Sequence, residues 1–423
     1  MDLRTERRFA RARATSDIQQ PLQPPLQYDA AGSVLSFSSG EAPKAAAARR
    51  SARSVALSHL GMTFVGLSFG LWNVLASSLL GGKHGPPAVV FGLVRAAGST
   101  PLLLLLAAVL ERPAPMWRLP AKDLGLLAAL GFVNGVGDIG CYLLGLQLVV
   151  QEAGEVRGAA IAAIFQPLTP VACCTLAVLF RLERVTLPKI IGMALGVGGA
   201  LVMIGWPLVG GSSSGGGLWG DLVLGGGVFF GAVGVLQQKP LHVRYKPAAI
   251  TAYSFVFSTI MYGLVSLYYL VPLSKPGRDP TTAQEAFGWV VEPSNLAIIA
   301  YAVLICSFVN YYILCFANRH LDGTVITLYA PIQPLVTVIA AYVRCAHGEQ
   351  GLGGASGCSA ICRNATAVHH HANGTLLLGA APALECSIPW RYWLGIVMAA
   401  AGVLLVSRTP PGDRERLLLQ SRS

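Results

Sequence analysis

Charge is what this sequence has least of. Only 12% of its 423 residues are Asp, Glu, Lys or Arg, about half the fraction usual in a soluble domain. So few charges cannot clothe a water-facing surface, which excludes an ordinary soluble globule. Acids are scarcer than bases: 20 Asp and Glu stand against 31 Lys and Arg. The zinc-peptidase pattern H-E-x-x-H is absent, and Asp138 is the one carboxylate deep in an apolar segment, so no acid pair speaks for an intramembrane enzyme. No signal peptide is apparent, because the first apolar run starts near residue 55 and is long enough to be a membrane helix.

What the chain does have is apolar length. It is 53% hydrophobic, with a mean hydropathy of +0.57. The apolar residues fall in ten blocks, near 55–80, 88–110, 123–148, 157–180, 188–206, 218–238, 248–271, 295–317, 322–343 and 390–407. Blocks of about 20 residues cross a hydrocarbon core roughly 30 Å thick. Backbone groups in lipid must bond within their own segment, so the blocks are helices. The expected fold is all-α and polytopic, with ten transmembrane helices.

The net charge of +11 would suggest nucleic acid in a soluble protein. Here its distribution argues otherwise. With residues 1–54 in the cytosol, 23 Lys and Arg fall on the cytosolic side and 7 on the other, Arg95 lying within a helix. That bias places both tails in the cytosol. Two N-x-[ST] sequons, at Asn364 and Asn373, lie in the long ninth–tenth loop, on the side the charges assign to the lumen or exterior.

Two stretches repeat one another. GAAIAAIFQPLTPV runs from Gly158 to Val171 and GTVITLYAPIQPLV from Gly323 to Val336. Each carries a P-x-x-P, Pro167 with Pro170 and Pro331 with Pro334, and each precedes two glycines seven apart, Gly192 with Gly199 and Gly395 with Gly402. A repeat this long predicts two copies of one unit. Five helices is an odd number, so the second copy enters the membrane from the opposite face, an inverted repeat. The expected units are 56–206 and 218–408, joined by a Gly/Ser linker at 207–217. A disordered cytosolic tail is expected over 1–55 and a short cytosolic one over 409–423. The second unit carries a lumenal insertion, 345–389.

The Arg-rich N-tail leaves an organelle transit peptide open, against which stand Asp2, Glu6, Asp17, Asp29 and Glu41. In the insertion, Cys358, Cys362 and Cys386 with His369, His370 and His371 suggest either zinc or, better, a lumenal disulfide beside a solvated histidine run. No metal and no cofactor is expected. The C-tail contains Asp413, Leu417 and Leu418 in the form of an acidic dileucine sorting signal.

Ionisable residues within a membrane are costly and point to function. Arg95 and Asp138 fall at one depth, roughly 20 Å above the cytosolic face at 1.5 Å per residue, on helices expected to be antiparallel neighbours, which predicts an Arg95–Asp138 pair. Asn73, Asn134, Gln166, Gln237, Asn310 and Gln333 lie at mid-membrane. Singly each serves as a helix–helix hydrogen bond; as a set they suggest a binding cavity between two halves. Aligning the third and eighth helices places Asn310 opposite Asp138. The four prolines each remove a backbone hydrogen bond and predict hinges.

Several of these residues resemble the drug/metabolite transporter superfamily, and within it carriers with paired EamA domains. CYLLGLQL from Cys141, the run from Ala159 to Val185 with Phe180, Arg181 and Glu183 at its end, and GTVITLYAPIQPLVTVIAAYV from Gly323 are similar to segments of the plant "walls are thin"-related carriers. Those carriers also place an arginine and an aspartate where Arg95 and Asp138 fall. The resemblance covers roughly 56–408 and departs from the family after the ninth helix, at RCAHGEQ and the insertion. It implies a ten-helix, two-repeat exporter or exchanger of small metabolites, amino acids or auxin-like compounds, working by alternating access. A nucleotide-sugar or sugar-phosphate antiporter of the same superfamily is the alternative, though such substrates want several cavity cations and only Arg95 qualifies. The expected partners are a small-molecule substrate, the bilayer of the plasma membrane or a vacuolar or other endomembrane, protons for coupling, and a second copy of the chain as a homodimer, but no nucleic acid.

Overall fold

The computed structural model describes residues 41–81, 85–111, 118–180, 186–204, 217–270 and 293–346, two strands at 362–364 and 384–386, and isolated positions between 394 and 405. The chain divides into two units, Met1–Arg53 and Ser54–Ser423. In the first unit, residues 41–53 are helical, which corrects the expectation of disorder up to residue 55. Helix α1 (Glu41–Gly81) starts in an alanine-rich stretch, alanine being the strongest helix former, and Pro43 falls in its first turn, where the missing N–H costs nothing. The linker residues 207–216, the sites Asn373, Asp413, Leu417 and Leu418, and Cys358 with the histidine run lie outside the described residues.

In the second unit, α1 is followed by α2 (Ala88–Leu110) and by α3, which comprises Ala121–Gly131, a π-helical stretch Phe132–Gly140 and Cys141–Ala153. Next come α4 (Glu155–Phe165, then Thr169–Leu179), α5 (Leu187–Ile204), α6 (Gly217–Leu241) and α7 (Pro247–Leu270). Helix α8 comprises Pro293–Ala300, a second π-helical stretch Tyr301–Val309 and Asn310–His320, and α9 comprises Gly323–Thr327 and Ile332–Ala346.

Among the described residues eight helices are long and apolar enough to cross a membrane. The expected fifth contributes a shorter apolar helix, Leu187–Gly199, and the expected tenth is described only at isolated helical positions. The insertion, expected to be irregular, contains an antiparallel strand pair, β1 (Cys362–Asn364) with β2 (Leu384–Cys386), in which Cys362 faces Cys386.

The proline pairs break their helices. Pro167 falls in a 3-10 turn, Gln166–Leu168, between the two parts of α4, and Pro170 in the first turn of the second part. In α9 the chain turns over 328–331, with i→i−3 bonds such as Ala330 N to Thr327 O at 3.0 Å. Pro331 closes that turn and Pro334 lies in the first turn of the helical piece that follows, Ile332–Ala346.

The two π-helical stretches free carbonyls from the regular ladder, and neighbouring helices supply the donors. Ser258 Oγ on α7 donates to Gly131 O at 2.8 Å and Tyr262 Oη to Gly135 O at 2.7 Å. On α2, Ser99 Oγ donates to Val303 O at 3.2 Å and an Arg95 N–H to Cys306 O at 3.3 Å. Helices α2 and α7 touch one another through Thr100 and Thr259, whose hydroxyls lie 2.8 Å apart. The Glu111 carboxylate at the end of α2 accepts from the Ala248 and Ala249 N–H groups at 3.0 and 2.9 Å, capping the start of α7.

Buried apolar side chains of α1, α2, α3 and α7, among them Trp72, Phe91, Leu103, Leu143, Leu146 and Phe255, form one cluster. Outside the membrane spans, Tyr245 donates to Asp123 Oδ2 at 2.6 Å. Burial first, and then this carboxylate, push the Tyr245 phenol up to about 12.

Candidate functional site: a polar cavity among the helices

A cavity of about 140 Å³ lies among α1, α2, α3, α4, α6, α8 and α9. A single water needs roughly 10–15 Å³ on this measure, so the space suits a small molecule with its hydration. Of the sequence-expected residues, Asn73, Arg95, Asn134, Asp138, Gln166 and Gln333 line it. Gln237 does not: its Nε2 donates to Leu126 O at 3.3 Å. Nor does Asn310, whose Nδ2 donates to Ser68 Oγ at 2.8 Å. A helical periodicity of 3.6 residues decides this, turning Gln238 into the cavity and Gln237 away.

Arg95 and Asp138 share the cavity but are not ion-paired, which corrects the sequence expectation. Arg95 is 3% exposed. Its Nε donates to Ser307 Oγ at 2.5 Å and an Nη2 N–H to Cys306 O. Its guanidinium carbon lies 5.5 Å from the centre of the Trp72 ring, a cation–π distance. Equal depth on neighbouring helices was therefore insufficient: the π-helical stretch of α8 presents a carbonyl and a hydroxyl that take the guanidinium instead.

Asp138 Oδ2 accepts a hydrogen bond from Tyr311 Oη at 3.0 Å. Helix α6 comes close beside it because the facing residues are glycines. A Cβ on Gly231 would lie 3.1 Å from Asp138 Oδ1, and one on Gly234 would fall 2.0 Å from Asn134 Oδ1.

One helical turn from Asp138, Tyr142 Oη donates to Asn73 Oδ1 at 2.6 Å and Asn73 Nδ2 to Thr337 Oγ1 at 3.0 Å. This chain joins α3, α1 and α9. Trp72, Tyr142, Tyr311, Tyr329 and Gln238 also line the cavity and were missed from sequence. Aromatic residues in apolar helices look like packing, and nothing in their spacing marks them otherwise.

Ser68 belongs to Gly66-Leu-Ser68-Phe-Gly70, which spells the nucleophile-elbow pattern. That motif needs a sharp strand-to-helix turn. Here Ser68 lies within α1, donates to Val65 O and accepts from Asn310 Nδ2, so no nucleophile is presented. Among the described residues no cluster of His, Cys, Asp and Glu suits a metal.

Charged side chains of α5 and α6, none of them lining the cavity, make buried contacts near the start of α9. Lys189 Nζ lies 2.7 Å from Asp322 Oδ2, both side chains buried. Lys239 Nζ donates to Asn318 O at 3.1 Å and Leu321 O at 2.5 Å.

The model of the EamA-like transporter family matches residues 57–205 and again 218–348. The chain belongs to that family. It is accordingly an integral, multi-pass membrane protein. Two WAT1-related proteins of Arabidopsis thaliana are similar to this carrier. One is 25% identical over 307 residues, 65% of this chain and 75% of that protein; the other is 24% identical over 308 residues, 65% and 76%. An uncharacterized transporter of Archaeoglobus fulgidus is 25% identical over 127 residues, 30% of this chain and 38% of its own. In fold, a protein of known crystal structure matches with a TM-score of 0.51 over 82% of this chain and 96% of its own, at 14% identity.

Proposed function

We propose that this EamA carrier is a secondary transporter, not an enzyme, and that it moves a small organic metabolite, an amino acid or auxin-like compound, by alternating access between two inverted five-helix repeats. The observation that carries the substrate reading is a cation and an acid in one cavity that, among the described residues, form no ion pair. A buried charge held without its counter-charge is costly. A molecule with an anionic end toward Arg95 and a hydrogen-bond donor or ammonium toward Asp138 would compensate both. The aromatic walls suit an organic body rather than a bare ion. Phosphorylated substrates would leave a second negative charge facing a cavity with one arginine.

The repeat reading is supported by matching contacts. Ser99 and Ser258 lie 159 residues apart and both donate to a carbonyl of a π-helical helix, Val303 and Gly131, which lie 172 apart. Thr100 and Thr259, again 159 apart, meet each other, as residues on a pseudo-two-fold axis would. The broken helices at Pro167, Pro170, Pro331 and Pro334 serve as hinges in this reading, beside the cavity that a moving repeat would open and close. Both tails are cytosolic, Asn364 and Asn373 are glycosylated outside or in the lumen, and Asp413, Leu417 and Leu418 direct sorting among plasma or endomembranes. Homodimerisation and proton coupling through Asp138 complete the proposal.

Purified protein in liposomes, assayed for counterflow of labelled amino acids and indole acids, tests this reading. Saturable, protein-dependent exchange of at least one of them supports it. Exchange of sugar phosphates alone would replace the substrate class, and exchange of none would reject it.

A further inference from the structure

Trp72 offers a donor that no described residue uses. The side chain lines the cavity, is 2% exposed and stacks on Phe91 with ring centroids 5.8 Å apart. Its indole Nε1–H is buried with no acceptor among the described residues. Buried polar groups are almost always hydrogen-bonded, and an orphan calls for a reason. Phenylalanine would meet the stack on Phe91, and the guanidinium contact uses the face of the ring, so neither gives the N–H at the ring edge a partner.

The second observation is the neighbouring guanidinium, whose carbon lies 5.5 Å from the ring. A guanidinium has five N–H groups. Ser307 and Cys306 take one each, and Asp138, the acid in the same cavity, is held by Tyr311 instead. Among the described residues, Arg95 therefore keeps charge and donors free beside an unused indole N–H. Together they ask for one acceptor group with a negative charge.

We propose that Trp72 and Arg95 form an anion subsite in the cavity, in which the indole N–H and the free guanidinium N–H groups together hold the carboxylate of a small organic substrate, with Trp72 acting as a specificity-determining residue. The proposal rests on reading the cavity as a metabolite site. One arginine and one neutral donor match a monoanion. A phosphate dianion would remain undercompensated, since Arg95 is the only Lys or Arg lining the cavity among the described residues. A site built to hydrogen-bond a substrate group rejects the analogue that lacks it, because its own buried donors are then left unpaired.

The test uses the full chain purified in detergent, with binding measured by calorimetry and thermal shift. The probes are phenylacetate, L-phenylalanine, L-phenylalaninamide and phenyl phosphate. The amide keeps the skeleton of L-phenylalanine and removes the negative charge. The expected result is binding of L-phenylalanine or phenylacetate, with the amide and the phosphate at least tenfold weaker. Trp72→Phe, which keeps the ring stack and deletes the N–H, should bind the carboxylates about tenfold more weakly and leave the amide unchanged, with the ligand-free melting temperature unaltered. Should Trp72→Phe fold poorly, the acid-to-amide ratio of the native protein still decides. Equal binding of acid and amide, preference for the phosphate, no binding of either carboxylate at millimolar concentration, or a Trp72→Phe variant with an unchanged ratio overturns the proposal. Acid-selective binding without counterflow in liposomes would instead refute transport and leave the subsite standing.

Discussion

Lys189 at the start of α5 and Asp322 at the start of α9 form a buried ion pair, Nζ to Oδ2 at 2.7 Å, with side chains only 5% and 8% exposed. The two residues are 133 positions apart, one in each proposed half. Beside them Lys239 of α6 donates to carbonyls at the end of α8 and in the connection to α9. In the proposed orientation this cluster lies at the cytosolic ends of the helices. The pair thus ties the first half to the second on that side.

Removing one partner leaves a buried charge, and such losses cost about 3–5 kcal/mol. We expect Asp322→Ala and Lys189→Ala each to lower the melting temperature in detergent markedly. Lys189→Met with Asp322→Leu, which removes both charges and keeps volume, should cost less than either single variant. A double variant less stable than both singles would show that the pair's attraction, not the isolated charge, dominates.

Asp138 is the only carboxylate lining the cavity among the described residues. Asp138→Asn should remain folded and reach its membrane while its uptake loses pH dependence. Tyr311→Phe removes the hydroxyl that donates to Asp138 and should shift the pH profile without abolishing it. A pH-rate profile of the Asn variant that overlays the native one would assign the acid a structural role.

Arg95→Ala strips the cavity of its cation and leaves Ser307 and the Cys306 carbonyl without their donor. We expect loss of substrate binding together with a stability loss of about 1–3 kcal/mol for the unsatisfied buried groups. Arg95→Lys should recover charge but not the geometry of a planar fork. Full recovery of affinity by lysine would argue that charge alone is read.

Two glycines should differ sharply. A Cβ on Gly402 would lie 2.5 Å from the Gly192 carbonyl oxygen, backbone against backbone, whereas on Gly225 its nearest neighbour is 3.9 Å away on the Phe165 ring. Gly402→Ala should therefore destabilise by about 1–3 kcal/mol, as overpacking does, and Gly225→Ala should be near neutral. Thermal unfolding in one detergent compares them directly.

Glycosidase treatment of protein from a secretory host should increase gel mobility, and Asn364→Gln with Asn373→Gln should remove the change. Protease accessibility of 345–389 from the cytosolic side would overturn the proposed orientation.

Much of the architecture was readable before any coordinates. Low charge and apolar blocks of membrane length required lipid-spanning helices, because backbone groups in hydrocarbon have no other partner. The paired P-x-x-P segments marked the places where α4 and α9 break, since proline lacks a donor wherever it stands. Six of the polar residues singled out on mid-membrane position line the cavity. The early start of α1 at Glu41 was not legible, because a charged, alanine-rich helix has no apolar period.

What the sequence determined by itself, then, is the medium, the helices and the membership of Arg95 and Asp138 in a polar centre, all of which follow from local composition and period. Which groups meet was decided only in three dimensions. Ser307 and Cys306, not Asp138, hold Arg95, because a π-helical stretch 212 residues further along the chain turns its free groups toward α2. Tyr311 holds Asp138, and among the described residues Trp72 keeps an unused donor. Depth along a helix can be counted from sequence. The angle at which a side chain leaves it, and the carbonyl a neighbouring helix has released to meet it, belong to the packing.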